Sequence, residues 1–165
     1  MRAHGILVTG LVLLAIGIGG LALLATGLLP LDQALPRGDG SASGSVARGE
    51  WIFRTATDVN GQPIPYAGGM MMPMSCAGCH GPDGRGIDTP MFEGPNVTYR
   101  NLTDPAGMRE PDGTRGPRYT DALIRRAVTQ GIDPNGKPLD WPMPRWHLSS
   151  REWEDLLAYL KTLRR

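Results

Sequence analysis

Cys76-Ala77-Gly78-Cys79-His80 decides how the rest of this chain is read. Residues three apart on a helical turn share a face. Two thiols so placed can bond the two vinyl groups of one porphyrin, and the imidazole of His80 then points at the iron from the same side. The C-x-x-C-H spacing is that of covalent haem attachment. The chain has 2 cysteines in 165 residues, and both are in this motif. No sulfur is left for a disulfide, a second such haem or a thiolate copper site. A redox dithiol also uses C-x-x-C, but it needs a βαβ surround that this Gly- and Pro-rich chain lacks. A zinc site needs four ligands. Only His4, His80 and His147 could join the sulfurs, and adjacent Cys79 and His80 on one zinc would be strained. One covalently attached haem c is the expected cofactor.

Composition agrees with a domain built around such a group. The 23 glycines and 15 prolines predict many loops and few long regular elements. A large apolar cofactor can supply the missing part of the core. Seventeen basic and 16 acidic side chains nearly cancel, so the chain carries no nucleic-acid-binding field.

Gly5 to Leu29 is an apolar run without a charge. As a helix it would be about 37 Å long, enough to cross a bilayer of ~30 Å. Residues 1–29 are therefore expected to form a retained single-span anchor, with Arg2 on the cytoplasmic side. A signal peptide cut near Ala25-Thr26-Gly27 is the alternative. Ala15 and Gly19 form a small-xxx-small pair that would let another membrane helix approach. Residues 30–47, rich in Gly and Ser, are expected to be a flexible tether.

Residues 48–165 then form the folded domain. The apolar spacing of Val46, Gly49, Trp51, Ile52 and Phe53 predicts a first helix over 46–56. Asn60-Gly61 predicts a tight turn, with Thr55–Val59 and Gln62–Tyr66 as the strands of a short hairpin. Met70, Met71, Met72 and Met74 close this insert, residues 55–74. Clustered thioethers pack well beside a haem and can also bind Cu(I). Past the motif, the loop Gly81–Gly86 is turn-rich. A metal-bound histidine needs its other nitrogen held by an acceptor, and the Pro95 carbonyl is the candidate. Asn96, Thr98 and Asn101 could reach haem propionates. Thr120 to Gln130 is expected to be helical, capped by Thr120 and stopped by Gly131. The last helix opens on the capping box Ser149-x-x-Glu152 and continues through Trp153, Leu156, Leu157, Leu160 and Leu163.

A low-spin iron needs a second axial ligand. Met143 lies between Pro142 and Pro144, which fix the backbone and remove competing amide donors. Trp141 and Trp146 could wall the crevice. Met91, Met108 and His147 are weaker candidates. Thioether ligation raises the reduction potential relative to a second imidazole, and a filled sixth position leaves no room for substrate.

The ordered set Cys76-x-x-Cys79-His80-Gly81-x-Asp83-Gly84-x-Gly86, Gly94-Pro95-Asn96, Met143-Pro144 and Leu156-Leu157-Ala158-Tyr159-Leu160 resembles class I cytochrome c in its membrane-anchored bacterial form. The resemblance covers roughly residues 46–165. It implies an all-α fold, a small helical domain wrapped round one haem with its first and last helices crossing. It further implies that Cys76 and Cys79 carry the thioethers, that His80 and Met143 are the axial ligands, and that the Pro95 carbonyl orients His80. The implied role is a monohaem electron carrier on the periplasmic side of the cytoplasmic membrane. Its implied partners are subunits of a terminal oxidase or another respiratory oxidoreductase. An open-iron haem protein (a gas sensor or a peroxidase-like enzyme) and a copper-handling protein using Met70 to Met74 are the competing readings.

Overall fold

The computed structural model describes residues 42–70, 75–90 and 92–163. The expected anchor, most of the tether, Met71, Met72, Met74 and Met91 lie outside the described residues. Among the described residues no helix is long and apolar enough to cross a membrane.

Helices dominate. They are α1 (Ala42–Thr55), α2 (Cys76–His80), α3 (Tyr99–Leu102), α4 (Asp121–Gln130) and α5 (Ser150–Leu160). Among the described residues, four two-residue strands form two antiparallel pairs. β1 (Tyr66–Ala67) pairs with β4 (Arg145–Trp146), and β2 (Ile87–Asp88) with β3 (Glu93–Gly94).

The expected first helix exists but begins earlier. Ala42–Ala47, expected in the tether, are its first turns. Its inner face is Gly49, Ile52 and Phe53, whereas Trp51 points out and is half exposed. The Trp51 indole N–H donates to Thr57 Oγ1 and to the Asp58 carbonyl at 2.8 and 3.1 Å.

The main packing is α1 against α5. Gly49 makes the crossing close: a Cβ there would stand 1.9 Å from the Asp155 carbonyl oxygen. Beside it, the Arg48 guanidinium grips the buried Asp155 carboxylate with bonds of 2.7 and 2.9 Å. A buried carboxylate is tolerable when paired in this way with a half-buried, hydrogen-bonded guanidinium. Phe53 and Tyr159 complete the crossing, ring centroids 5.4 Å apart. The capping box of α5 is formed: Glu152 N–H donates to Ser149 Oγ, and Ser149 N–H to the Glu152 carboxylate. Lys161 is the C-cap residue of α5. It reaches across to Asp121 at the start of α4, at 2.6 Å.

The expected hairpin is reduced to one bridge, Thr57 with Pro63, around a turn that Asp58 caps by accepting from Asn60 and Gln62 N–H. Pro63 and Pro65 have no amide hydrogen to extend a ladder. The segment instead buries Ile64 in the core, and β1 pairs with β4. The insert thereby braces the stretch that carries Met143.

Candidate haem site

Ser75 opens α2 by accepting from Gly78 N–H at 3.2 Å, and this single helical turn sets Cys76, Cys79 and His80 in order. His80 is buried. Its Nδ1–H donates to the Pro95 carbonyl at 2.9 Å. A carbonyl can only accept, so this bond fixes the tautomer and leaves Nε2 with its lone pair bare. Burial pulls the imidazole below its ordinary pKa, and the Pro95 bond opposes that pull. The ring is thus kept neutral, the form that can ligate a metal.

The chain brings Pro95 to His80 by folding back at once. The loop after α2 returns through β2 and β3. Gly94 lies so close to α2 that a Cβ would meet the Cys79 carbonyl at 1.6 Å. Only glycine permits that approach, and the next carbonyl is the one that accepts from His80 Nδ1–H.

His80 and Cys79 face a cavity of about 520 Å³. That is within the ~300–1,000 Å³ of cofactor and ligand sites. Met143 and Pro142 line it, as do Met70, Met108, Tyr119 and Trp146. The remaining wall is mostly apolar, from Phe92 and the inner face of α4, with Ile124 and Ala127 buried there. Cys76 borders a small neighbouring void, of which Trp146 is also a wall. Burial pushes the Cys76 thiol up to about 12 and raises Cys79 as well, so both sulfurs are held as thiols. Neither is in a disulfide. A large apolar cavity, an imidazole with a bare nitrogen, a thioether and a cysteine on its rim are the donor set and shape that a covalently held haem requires.

The expected residues divide clearly. Cys79, His80 and Met143 line one cavity, and the Pro95 carbonyl is on His80. His147 is exposed and does not line the cavity; its backbone N–H donates to the Pro65 carbonyl at 2.8 Å. Trp146 is a wall of the cavity, but Trp141 is 70% exposed and is not. Of the methionine cluster, Met70 lines the cavity, a packing position. Asn96 and Asn101 spend their side chains on the protein itself: Asn96 accepts from Thr98 N–H and Oγ1–H, and Asn101 ties the Asn96 and Arg109 backbones together.

Several wall residues come from the irregular stretch 100–118, where the sequence carries no periodic signal. Buried Met108 is one and Glu110 another. Burial, then Asp112 and Asp133, raise the Glu110 carboxyl above its ordinary range. Tyr119 is pushed up to about 12 for the same first reason.

A model of the cytochrome c family matches residues 48–164. No curated protein and no solved structure matches the chain. With that match spanning more than half of the sequence, and with the motif, the neutral His80 and the cavity in register with it, the chain belongs to the cytochrome c family, electron-transfer proteins with covalently attached haem c.

Proposed function

We propose that this protein is a membrane-tethered monohaem electron carrier whose iron is held by His80 and Met143. The observation that carries the reading is the joint placement of those two side chains on one cavity, with His80 Nδ1 occupied by Pro95. When bound, haem supplies an iron that exchanges one electron. The chain's own residues do the rest. Cys76 and Cys79 anchor the ring. Pro95 holds the imidazole in one tautomer and one orientation. With haem bound, Met143 would fill the position a substrate would need, which favours electron relay over chemistry on a ligand. The apolar walls exclude water and keep reorganisation small.

The tether reading is supported by the uncharged run Gly5–Leu29. It makes the haem domain an outward-facing module of the bacterial cytoplasmic membrane, held near a terminal oxidase or another respiratory oxidoreductase at high effective concentration. The test is addition of carbon monoxide to the reduced native protein. No binding on mixing is the expected result; ready formation of a CO complex would show an open iron and favour a ligand-binding haem protein. Mild-detergent extraction, with N-terminal sequencing and identification of co-purifying subunits, checks anchor and partner together. A mature chain starting near Leu28 would remove the anchor.

A further inference from the structure

The segment 139–145 that carries Met143 has little of its own to hold it. Pro142 and Pro144 contribute no amide hydrogen. Trp141 is exposed, so the outer side meets solvent rather than core. Within the segment the Met143 N–H closes one turn onto the Asp140 carbonyl at 3.2 Å. The carbonyls of such a loop would ordinarily be left to water.

They are taken instead by one guanidinium. The Arg145 backbone is fixed in β4, opposite Ala67. Its side chain folds back along the loop. Nη1 donates to the Met143 carbonyl and, at 3.5 Å, to that of Asp140; Nη2 donates to the Leu139 carbonyl at 2.9 Å. The planar group lies over Gly131, the left-handed residue that ends α4 (φ 67°). A Cβ on Gly131 would stand 2.0 Å from Arg145 Nε and 2.4 Å from Cζ. Gly131 in turn accepts from Leu139 N–H at 2.7 Å, which ties the base of the segment to the same point. The side chain is half-buried, so these bonds are partly shielded from water.

We propose that Arg145 is a positioning residue for the axial thioether: its guanidinium, seated on Gly131, fixes the backbone on either side of Met143 and so holds the sulfur at the iron. The inference rests on the reading of Met143 as the distal ligand. Arginine suits the task because its rigid fork can serve several carbonyls in one plane, which a lysine ammonium cannot. Without it the segment gains conformations in which the sulfur is off the iron. An external ligand then competes more easily, since its apparent affinity scales with the population of the open state.

The test uses the oxidised holoprotein and two readouts. One is the weak long-wavelength absorption of a thioether–iron(III) bond, identified by its loss in Met143→Ala. The other is titration with imidazole. Arg145→Ala is expected to weaken the band and to bind imidazole about tenfold more tightly or more, the scale of losing charged hydrogen bonds. Arg145→Lys recovers only part of that change. Gly131→Asn perturbs from the other side: asparagine tolerates the left-handed backbone, but its Cβ occupies the guanidinium's place. It is expected to shift both readouts in the same direction as Arg145→Ala. Arg48→Ala, which weakens the fold at a pair that does not line the cavity, leaves both unchanged. Wild-type band and imidazole affinity in Arg145→Ala overturn the proposal while the ligand reading stands. A wild-type protein with no Met143-dependent band overturns the ligand reading, and the proposal with it.

Discussion

The α1–α5 crossing and the cavity wall opposite it are held by different means. The crossing is self-sufficient: Gly49 lets two backbones touch, Phe53 and Tyr159 fill the space, and Arg48 neutralises Asp155. The wall is a set of short turns, two-residue strands and one-turn helices, joined by the inner face of α4, around a cavity of about 520 Å³. Its polar groups are tied pairwise, as in His80 with Pro95 and Arg145 with the Met143 loop. One region stores stability in its own side chains. The other is a mould whose apolar contents come from the cofactor. Changes to the first should therefore alter how much protein is folded, and changes to the second what the iron experiences.

The sharpest way to break this comparison is to remove the cofactor. Cys76→Ala/Cys79→Ala protein made without haem is expected to lose the protection of backbone amides in 87–97 and 139–147 from hydrogen exchange. Any residual protection should concentrate in α1 and α5. Uniform protection of both regions in haem-free protein would contradict the division.

Next in size is Arg48→Ala. It leaves a buried carboxylate unpaired and should cost about 3–5 kcal/mol by denaturant titration of the holoprotein. The haem spectrum of the folded fraction should stay that of wild type. Gly94→Ala belongs to the other side. Its Cβ has no room beside the Cys79 carbonyl, so a cost of about 1–3 kcal/mol is expected, together with a changed reduction potential as Pro95 is pushed from His80. A shift in stability with no shift in potential would mean that the Pro95 contact does not tune the site.

The smallest effects concern pH, and the ion pair between α4 and the end of α5 differs in sign from the cavity wall. Lys161 first, then the Tyr99 hydroxyl, hold Asp121 below the ordinary carboxylate range. Its contribution is full above that range and is lost as the pH falls through the depressed value. Glu110 in the cavity wall is raised, so it favours folding when protonated, and that contribution is lost as the pH rises. Glu110→Gln should therefore stabilise the protein at pH 7 and converge with wild type in acid. Asp121→Asn should destabilise it at pH 7 and converge likewise. Both side chains are only partly buried and screened by solvent, so each difference should stay under about 1 kcal/mol in thermal or denaturant unfolding.

The same contrast explains what the sequence disclosed. The α5 helix was legible because its capping box and three- and four-residue apolar steps are local rules. The Cys76–His80 motif was legible because its chemistry demands that spacing, and Pro95 because a ligating imidazole needs an acceptor. The first helix was read four residues short at its start, since Ser43-Gly44-Ser45 look like linker until α5 covers the helix. The hairpin failed on its two prolines, and β1 found its partners 78 and 80 residues downstream, beyond any local signal. Trp141 and Trp146 are indistinguishable as residues, but only Trp146 falls on the inward side of β4. Met108, Glu110 and Arg145 reach the cavity or its loop through tertiary folding alone, and no periodicity marks them.

The central claim is that His80 and Met143 close the iron between them. It is tested most directly by the absorption of oxidised holoprotein in the region of the thioether–iron(III) transition, for wild type and Met143→Ala side by side. The account predicts a weak band in the wild type that is absent in the variant, with the covalent haem retained in both. The same band in both proteins, or in neither, would contradict it.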